Sequence, residues 1–282
     1  MMKIETLKRR AEIVRGIRRF FDERGFLEVE TPVRIAAPAP ECHIDCPPVA
    51  TGGYLRASPE LEMKALLAAG MEKIYQIGPC FRDGEKGSRH NPEFTMIEWY
   101  RLGADYRAIL EDTKNLYRTL KGGAVEFTEL TVRDAYLKYA GWNPWTDFDA
   151  DRFDYDMAVK IEPALKDLGA TFLIDYPPEC ASLARLRRNP DGLKVAERWE
   201  FYVDGMELAN CFSELCDPSE QRRRFAAAKA ERKTLGEADY PLNEDFFAAL
   251  ESIESAAGVA LGVDRLVMTL TGERRIDEVR IV

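Results

Sequence analysis

The stretch from Phe81 to Arg101, FRDGEKGSRHNPEFTMIEWYR, constrains this chain more than any other. It reads as a strand, a polar loop and a second strand. On the second strand side chains alternate, so Phe94, Met96, Glu98 and Tyr100 share one face and Thr95, Ile97 and Trp99 the other. Glu98 therefore lies on an otherwise apolar face, where a carboxylate is costly unless it meets a cation or hydrogen-bond donors. Between the strands Arg82, Lys86, Arg89 and His90 form a density of donors suited to a polyphosphate. The competing reading is a solvated hairpin tip rich in charge, and the remainder of the chain has to choose.

With 282 residues, 46% of them hydrophobic, the chain can bury a full core as one large α+β domain, or as one domain with a small insertion. No apolar run approaches about 18 residues, and the N-terminal MMKIETLKRR leads into no apolar segment, so neither a membrane span nor a signal peptide is expected. The cytoplasm is the default location. A net charge of -9 argues against a chain whose main business is gripping nucleic acid. The six cysteines lack C-x-x-C spacing, and Cys42, His43 and Cys46 are too few to close a tetrahedral zinc site, so they read as ordinary reduced thiols. His43 and His90 are the only histidines. That disfavours histidine triads and points to chemistry run by Arg, Glu and divalent cations.

Leu7, Ala11, Val14, Ile17 and Phe21 mark one apolar stripe on a helix from about Glu5 to Glu23, followed by a strand from Phe26 to Glu30. Residues 33–53 read as irregular. Tyr54 to Ala57 looks like a strand entering a helix capped by Ser58, with Pro59 at its first position and Gly70 at its end. Glu60, in the first turn, either complements the helix dipole or meets a ligand amine. Ile74 to Ile77 is a further strand. Helices follow over Tyr106 to Leu120 and, after a Thr131 cap, Leu130 to Tyr139; an acidic region at 142–170 reads as a small helical insertion with a helix near Asp156 to Leu168. Phe172 to Tyr176 is a buried strand.

Trp199 to Val203 and Met206 to Cys211 flank Asp204-Gly205, a strong hairpin signal. A two-residue turn sets Tyr202 opposite Glu207 and Glu200 opposite Ala209. Glu200 and Glu207 then lie diagonally on one face, either sharing a divalent cation or standing as solvated acids. Strict alternation puts Asn210 on the opposite face from Glu207, so a shared site requires a bulge. A helix rich in Arg runs from Asp217 to Leu235 and another from Asn243 to Ile253. Gly258 to Leu266, GVALGVDRL, reads as a strand turning into a helix with Arg265 in its first turn, where backbone N–H groups favour an anion.

Taken together, two carboxylates poised for a metal, arginines at 82 and 265, and Glu98 beside Tyr100 describe a site for ATP, Mg²⁺ and a cationic small molecule. The chain resembles class II aminoacyl-tRNA synthetases over nearly its whole length. The first helix, strand and Pro32 look like motif 1, FRDGEKGSRHNPEFTMIEWY like motif 2 and GVALGVDRL like motif 3; RHNPEFTMIEWY with ELANCFSEL resembles the lysyl branch. The resemblance implies a six- to seven-stranded antiparallel sheet with helices, dimeric through motif 1. It implies that Arg82 binds the α-phosphate and Phe94 stacks on adenine. Arg89 and His90 would lie by the outer phosphates, Asn91, Asp83, Gly84, Leu208 and Gly262 near the nucleotide, with Arg265 completing the clamp. Glu200 and Glu207 match Mg²⁺-binding acids. Ser58, Pro59, Glu60, Glu98, Tyr100, Asn210, Glu214 and Ala260 match residues around the amino-acid substrate. The implied reaction needs no general base, because the substrate carboxylate attacks the α-phosphorus in line.

Lysyl-tRNA synthetases carry an anticodon-binding domain ahead of motif 1, and here motif 1 opens the sequence, so no tRNA-reading module is expected. Together with the acidic charge and the run Tyr176 to Ala184, this looks like the elongation factor P lysine ligase family. The resemblance implies ATP-dependent activation of (R)-β-lysine or lysine, and its transfer to a lysine side chain of elongation factor P. Alternatives are a lysine-activating enzyme acting on tRNA or another amine, and a non-catalytic amino-acid-binding regulator. Ala260 fits this family, because a methyl where the tRNA enzymes usually have Gly would reshape the amino-acid pocket; the chain departs from the family's pattern at Gly84, where Glu is frequent, and at Cys211, where Gly is usual.

Overall fold

A computed structural model describes residues 4–281. The chain opens with helix α1 (Ile4–Asp22) and three short strands, β1 (Leu27–Glu28), β2 (Arg34–Ile35) and β3 (Tyr54–Leu55). Helix α2 (Glu60–Ala68) and the long strands β4 (Lys73–Phe81) and β5 (Glu93–Leu102) follow, then α3 (Tyr106–Lys121) and β6 (Thr128–Thr131). After the short helices α4 (Val132–Ala135), α5 (Ala150–Asp156) and α6 (Glu162–Leu165) come β7 (Ala170–Tyr176), β8 (Leu186–Arg188), β9 (Lys194–Val203) and β10 (Met206–Ser213). Helices α7 (Pro218–Leu235) and α8 (Glu244–Leu250), strand β11 (Ala256–Gly262) and helix α9 (Val263–Thr271) complete the order. The fold is α+β, a mostly antiparallel sheet with helices, as expected; the sheet is mixed, with β1 parallel to β4 and β6 to β7, and it holds nine strands among the described residues where six or seven were expected.

The sequence reading takes 1–282 as one domain, of which residues 1–3 and 282 lie outside the described residues. The described backbone groups into two compact units. One runs up to Gly103 and includes Leu215–Ala256 and the chain from Ala260 onward; the other comprises Ala104–Glu214 and Ala257–Val259.

In the first unit β4 and β5 pair antiparallel with Gln76 opposite Glu98 and Cys80 opposite Phe94, and β1 pairs parallel with β4. Ile97 and Trp99 point toward α1, where the Phe21 ring meets Tyr75 at 4.9 Å and Trp99 at 5.1 Å. The face carrying Glu98 is thereby left for other partners. The buried stripe of α1 comprises Ile13, Ile17, Phe20 and Phe21, while Ala11, expected inside, is exposed. The aromatic cluster sets the helix rotation, and small Ala11 contributes too little apolar area to resist it.

A buried arginine ties three elements of this unit together. Arg56 Nη1 donates to the Thr31 carbonyl at 2.9 Å and to Thr31 Oγ1 at 2.7 Å, and its Nε donates to the Pro79 carbonyl at 3.3 Å. Thr31 donates in turn through its N–H and hydroxyl to Gln76 Oε1, at 3.1 and 3.0 Å. The guanidinium lies so close to β4 that a Cβ on Gly78 would meet Arg56 Nη2 at 2.8 Å. Glycine is required there for space.

In the second unit β7 is buried along its whole length and pairs parallel with β6 and antiparallel with β9. The β9–β10 turn has φ 51° at Asp204 and φ 72° at Gly205, the two left-handed residues of the tight hairpin read from the sequence. Thr131 caps α4 by accepting from the Asp134 N–H at 3.0 Å. The helices expected at 130–139 and 156–168 are broken into short pieces, with π-helical turns at Tyr136–Ala140 and Met157–Ile161. Packing explains the break: Tyr136 stacks on Phe153 at 4.6 Å and joins Ile161, Leu165, Leu173 and Tyr202 in one core. Burying those side chains together outweighs regular backbone geometry.

Gly78→Ala should destabilise the fold by about 1–3 kcal/mol, the usual cost of overpacking a filled interior. A lower urea midpoint at unchanged denaturant slope checks this.

Candidate active site

Glu98 is 1% exposed, and both carboxylate oxygens accept hydrogen bonds, from Ser58 Oγ at 2.6 Å and from the Tyr100 hydroxyl at 2.8 Å. Burial, reinforced by the nearby Glu60, pushes its carboxyl up to about 7, although the two hydroxyl donors and Arg56 act the other way. Ser58 works in two directions, since its hydroxyl also accepts from the Glu60 N–H at 3.0 Å. The helix begins one residue later than expected, with Pro59 at the cap position, and this places Ser58 to serve Glu98. Glu60 is itself buried and pairs at 2.6 Å with Lys64, one turn along α2. A hollow beside Ser58 and Glu60 is walled by Pro38, Glu41, Ile44 and Cys46 of the irregular stretch.

The loop between β4 and β5 gathers cations. Arg82 lies over the Phe94 ring at 5.2 Å and pairs with Glu85 at 3.5 Å, while its Nε is buried without a hydrogen-bond partner. Arg265 approaches from the first turn of α9. Its Nε donates to the Arg89 carbonyl at 3.4 Å, and its Nη2 lies 2.6 Å from His90 Nε2. Arginine can only donate, so that ring nitrogen accepts. Burial and the Arg265 charge lower the His90 pKa, keeping the ring neutral. Asp264, next to Arg265, plays a different part. It accepts from the Thr95 N–H at 2.7 Å and pairs with Arg10 at 2.6 Å. That pins the start of α9 to β5 and leaves Arg265 facing the loop.

Asp83 donates its N–H to the Asp45 carbonyl at 2.7 Å, and Gly84 follows with φ 75°. Glycine adopts such a left-handed turn without strain. Asn91 donates to the Glu93 carbonyl at 2.6 Å, and Ala260 and Gly262 are half-buried on β11. The structure thus gathers two clusters within this unit. One is Ser58, Glu60, Glu98 and Tyr100; the other is Arg82, Phe94, Arg89, His90 and Arg265.

The remaining candidates lie on β9 and β10 or just beyond. Tyr202 faces Glu207 as expected, but the register shifts between Glu207 and Ala209, so Glu200 faces Asn210 rather than Ala209. Leu208 is the extra residue of this bulge, with its side chain buried. The bulge returns Asn210 to the face of Glu200 and Glu207, which strict alternation denied it. Glu200 accepts from Arg198 Nη2 at 2.6 Å on one oxygen, and from the Tyr176 and Tyr202 hydroxyls at 2.5 and 2.6 Å on the other. Glu207 is half-buried and Glu214 buried. Cys211 sits in the regular ladder opposite Trp199 without a positive φ, so its departure from glycine leaves the backbone ordinary.

Among the described residues no group of three or more His, Cys, Asp or Glu stands at metal-holding distance. Mg²⁺ takes one or two carboxylates and completes its shell with phosphate and water, so Glu200 and Glu207 fit it by donor type. Burial pushes the Cys46 thiol up to about 11 and that of Cys80 to about 12, away from nucleophilic chemistry. Sequence reasoning missed Lys64, Arg198, Tyr176 and Tyr202. Two of these had a local signal: Lys64 follows Glu60 by four residues on a helix, and Arg198 precedes Glu200 by two on a strand.

Comparison with known proteins gives the chain a family. The family described as tRNA synthetases class II (D, K and N) matches residues 2–281. Proteins named elongation factor P–(R)-β-lysine ligase are similar across the chain. That of Proteus mirabilis is 40% identical, that of Vibrio cholerae 39% and that of Vibrio vulnificus 38%, each match covering 98% of this chain and 94% of the relative. No helix among the described residues is long and apolar enough to cross a membrane. This chain belongs to the class II tRNA synthetase family (D, K and N), and within it to the elongation factor P–(R)-β-lysine ligases.

Proposed function

We propose that this chain uses ATP to activate (R)-β-lysine, or lysine, as an aminoacyl adenylate and transfers the acyl group to a lysine side chain of elongation factor P. The observation that carries the reading is Glu98, a buried carboxylate with hydroxyl donors on both oxygens and a pKa pushed to about 7. A cationic amine is the ligand such a group favours. The names of the relatives agree on the substrate and the acceptor.

The reaction follows from the two clusters. Arg82 and Arg265 would hold the triphosphate, with Arg89 and His90 on its outer phosphates, Asp83, Gly84, Asn91, Leu208 and Gly262 near the nucleotide, and Phe94 stacked on adenine. Ser58, Pro59, Glu60, Glu98, Tyr100, Asn210, Glu214 and Ala260 would surround the amino acid. A carboxylate oxygen of the amino acid attacks the α-phosphorus, the bond to the bridging oxygen breaks, and pyrophosphate leaves. The guanidinium of Arg82 neutralises charge that builds on the α-phosphate. An acceptor ε-amine then attacks the acyl carbon, AMP leaves with the bonding pair, and the amine loses a proton. Mg²⁺, held by Glu207 and Glu200, would neutralise phosphate charge. An elongation factor as acceptor sets the reaction in the cytoplasm, and exposed Ile4 and Leu27 near the start of the chain support a homodimer through that region.

Pyrophosphate exchange with (R)-β-lysine, and a mass gain of one lysyl group on elongation factor P, test the reading; a full panel of lysine isomers with neither signal overturns it. A second reading, charging of tRNA, predicts lysyl-tRNA forming faster than the protein adduct.

Glu98→Gln should abolish exchange or raise the amino-acid KM by about 100-fold, the scale of one lost charge-assisted contact, while ATP binding is preserved. Equal loss of ATP and amino-acid binding overturns the assignment of Glu98.

The raised pKa also has a stability signature. An ordinary glutamate titrates near 4.5 and folded Glu98 near 7, so between these values the unfolded chain binds fewer protons than the folded one. Stability of the ligand-free protein should therefore fall as pH rises through this window, by on the order of 3 kcal/mol at most. Chemical denaturation at pH 5 and pH 8 checks it: Glu98→Gln should lose much of this decline.

A further inference from the structure

Arg198 touches both Glu200 and Asn210, two residues to which the proposed function gives different ligands. Its side chain is only 17% exposed. Nη2 donates to Glu200 Oε1 at 2.6 Å, Nε to Asn210 Oδ1 at 3.2 Å and Nη1 to the Cys180 carbonyl at 2.8 Å. The guanidinium lies over the Tyr176 ring at 4.4 Å and the Phe212 ring at 5.6 Å. Glu200 is itself held from behind by the Tyr176 and Tyr202 hydroxyls. The fork of Arg198 is therefore held at three donor positions and on its faces, and it has little freedom to turn.

A guanidinium offers donors and no acceptor. The asparagine amide that meets it must present its carbonyl oxygen, and its NH₂ group is turned the other way. The bulge at Leu208 brings Asn210 opposite Glu200, within reach of this fork, and so makes the lock possible. We infer that Arg198 is a positioning residue that holds Asn210 in the donor orientation, so that Asn210 reads the carboxylate of the amino acid and disfavours an amine or amide at that end. The inference rests on the proposed amino-acid substrate and adds a determinant of which end of that substrate Asn210 accepts. Arg198 need not touch the substrate to do this.

The test compares the wild-type protein with Arg198→Met and Arg198→Lys. Pyrophosphate exchange gives KM for ATP and for (R)-β-lysine and lysine, and inhibition by lysinamide measures how well a neutral amide replaces the carboxylate. Thermal shift with lysine or lysinamide alone reports binding apart from activity. With Asn210 free to turn, Arg198→Met should raise the amino-acid KM about tenfold, the scale of one hydrogen bond, and narrow the preference for lysine over lysinamide by a similar factor, a readout that the loss of charge beside Glu200 does not move. Arg198→Lys keeps a charge for Glu200 but lacks the fork. It should recover the thermal midpoint without recovering the preference. A merely structural arginine would lower the midpoint and kcat and leave the preference unmoved, and that result overturns the inference. Absence of exchange and of amino-acid binding in the wild type overturns the ligase reading; wild-type activity with an unchanged preference in Arg198→Met overturns the Arg198 assignment alone.

Discussion

A carboxylate kept inside an apolar sheet face is the constraint on which the first unit is built. Glu98 stays there because Ser58 and Tyr100 donate to its oxygens, with Arg56 close enough to stabilise its charge. Each of those partners is held by something else. Ser58 is fixed at the start of α2, and Arg56 is clamped between Thr31 and the Pro79 carbonyl. Gly78 leaves the space that the guanidinium occupies. An acid that would otherwise cost several kcal/mol is thus tolerated, but not fully compensated, and a raised pKa is the residue of that imbalance. A ligand amine completes what the protein leaves incomplete.

The same logic runs through the pairs around it. Glu60 is balanced by Lys64, Glu200 by Arg198 and Asp264 by Arg10 and Arg280. In each case an acid has a basic partner from the protein, and Glu60 and Glu200 are acids that the sequence offers as possible ligands. For Asp264 the partnership is structural: it joins α9 to α1 and β5, and it frees Arg265 for the loop. For Glu60 and Glu200 the partner sits within a candidate site, where it tunes how strongly a second cation is attracted. Removing one member of such a buried pair leaves the other uncompensated, so substitutions here combine effects on folding and on ligand binding.

Much of the site is legible in the order of residues alone, for a local reason. The alternation of β5 assigned Glu98 and Tyr100 to one face, and the hydrogen bond between them bears that out. The Asp204-Gly205 turn, the starts of helices at Asp217 and Asn243 and the placement of Arg265 in the first turn of α9 were readable for the same reason. Asn210 was not. Its face depends on a bulge at Leu208, and nothing within a few residues of that position announces one. The helical region failed similarly, since its π-helical turns answer to Tyr136 meeting Phe153 and not to helix propensity.

Sequence alone determined the α+β class, the two strand hairpins, the family and the inventory of arginines and carboxylates, because periods of two and 3.6 residues, turn residues and motif spacing act over short range. Tertiary structure decided which acids are already balanced, which face Asn210 shares and how far Glu98 is from its ordinary pKa. A charge pair such as Glu60 with Lys64 or Glu200 with Arg198 has a local signal, but its burial does not. Burial depends on partners distant along the chain, as between Ser58 and Glu98 or Asp264 and Thr95, and no local pattern of residues can carry it.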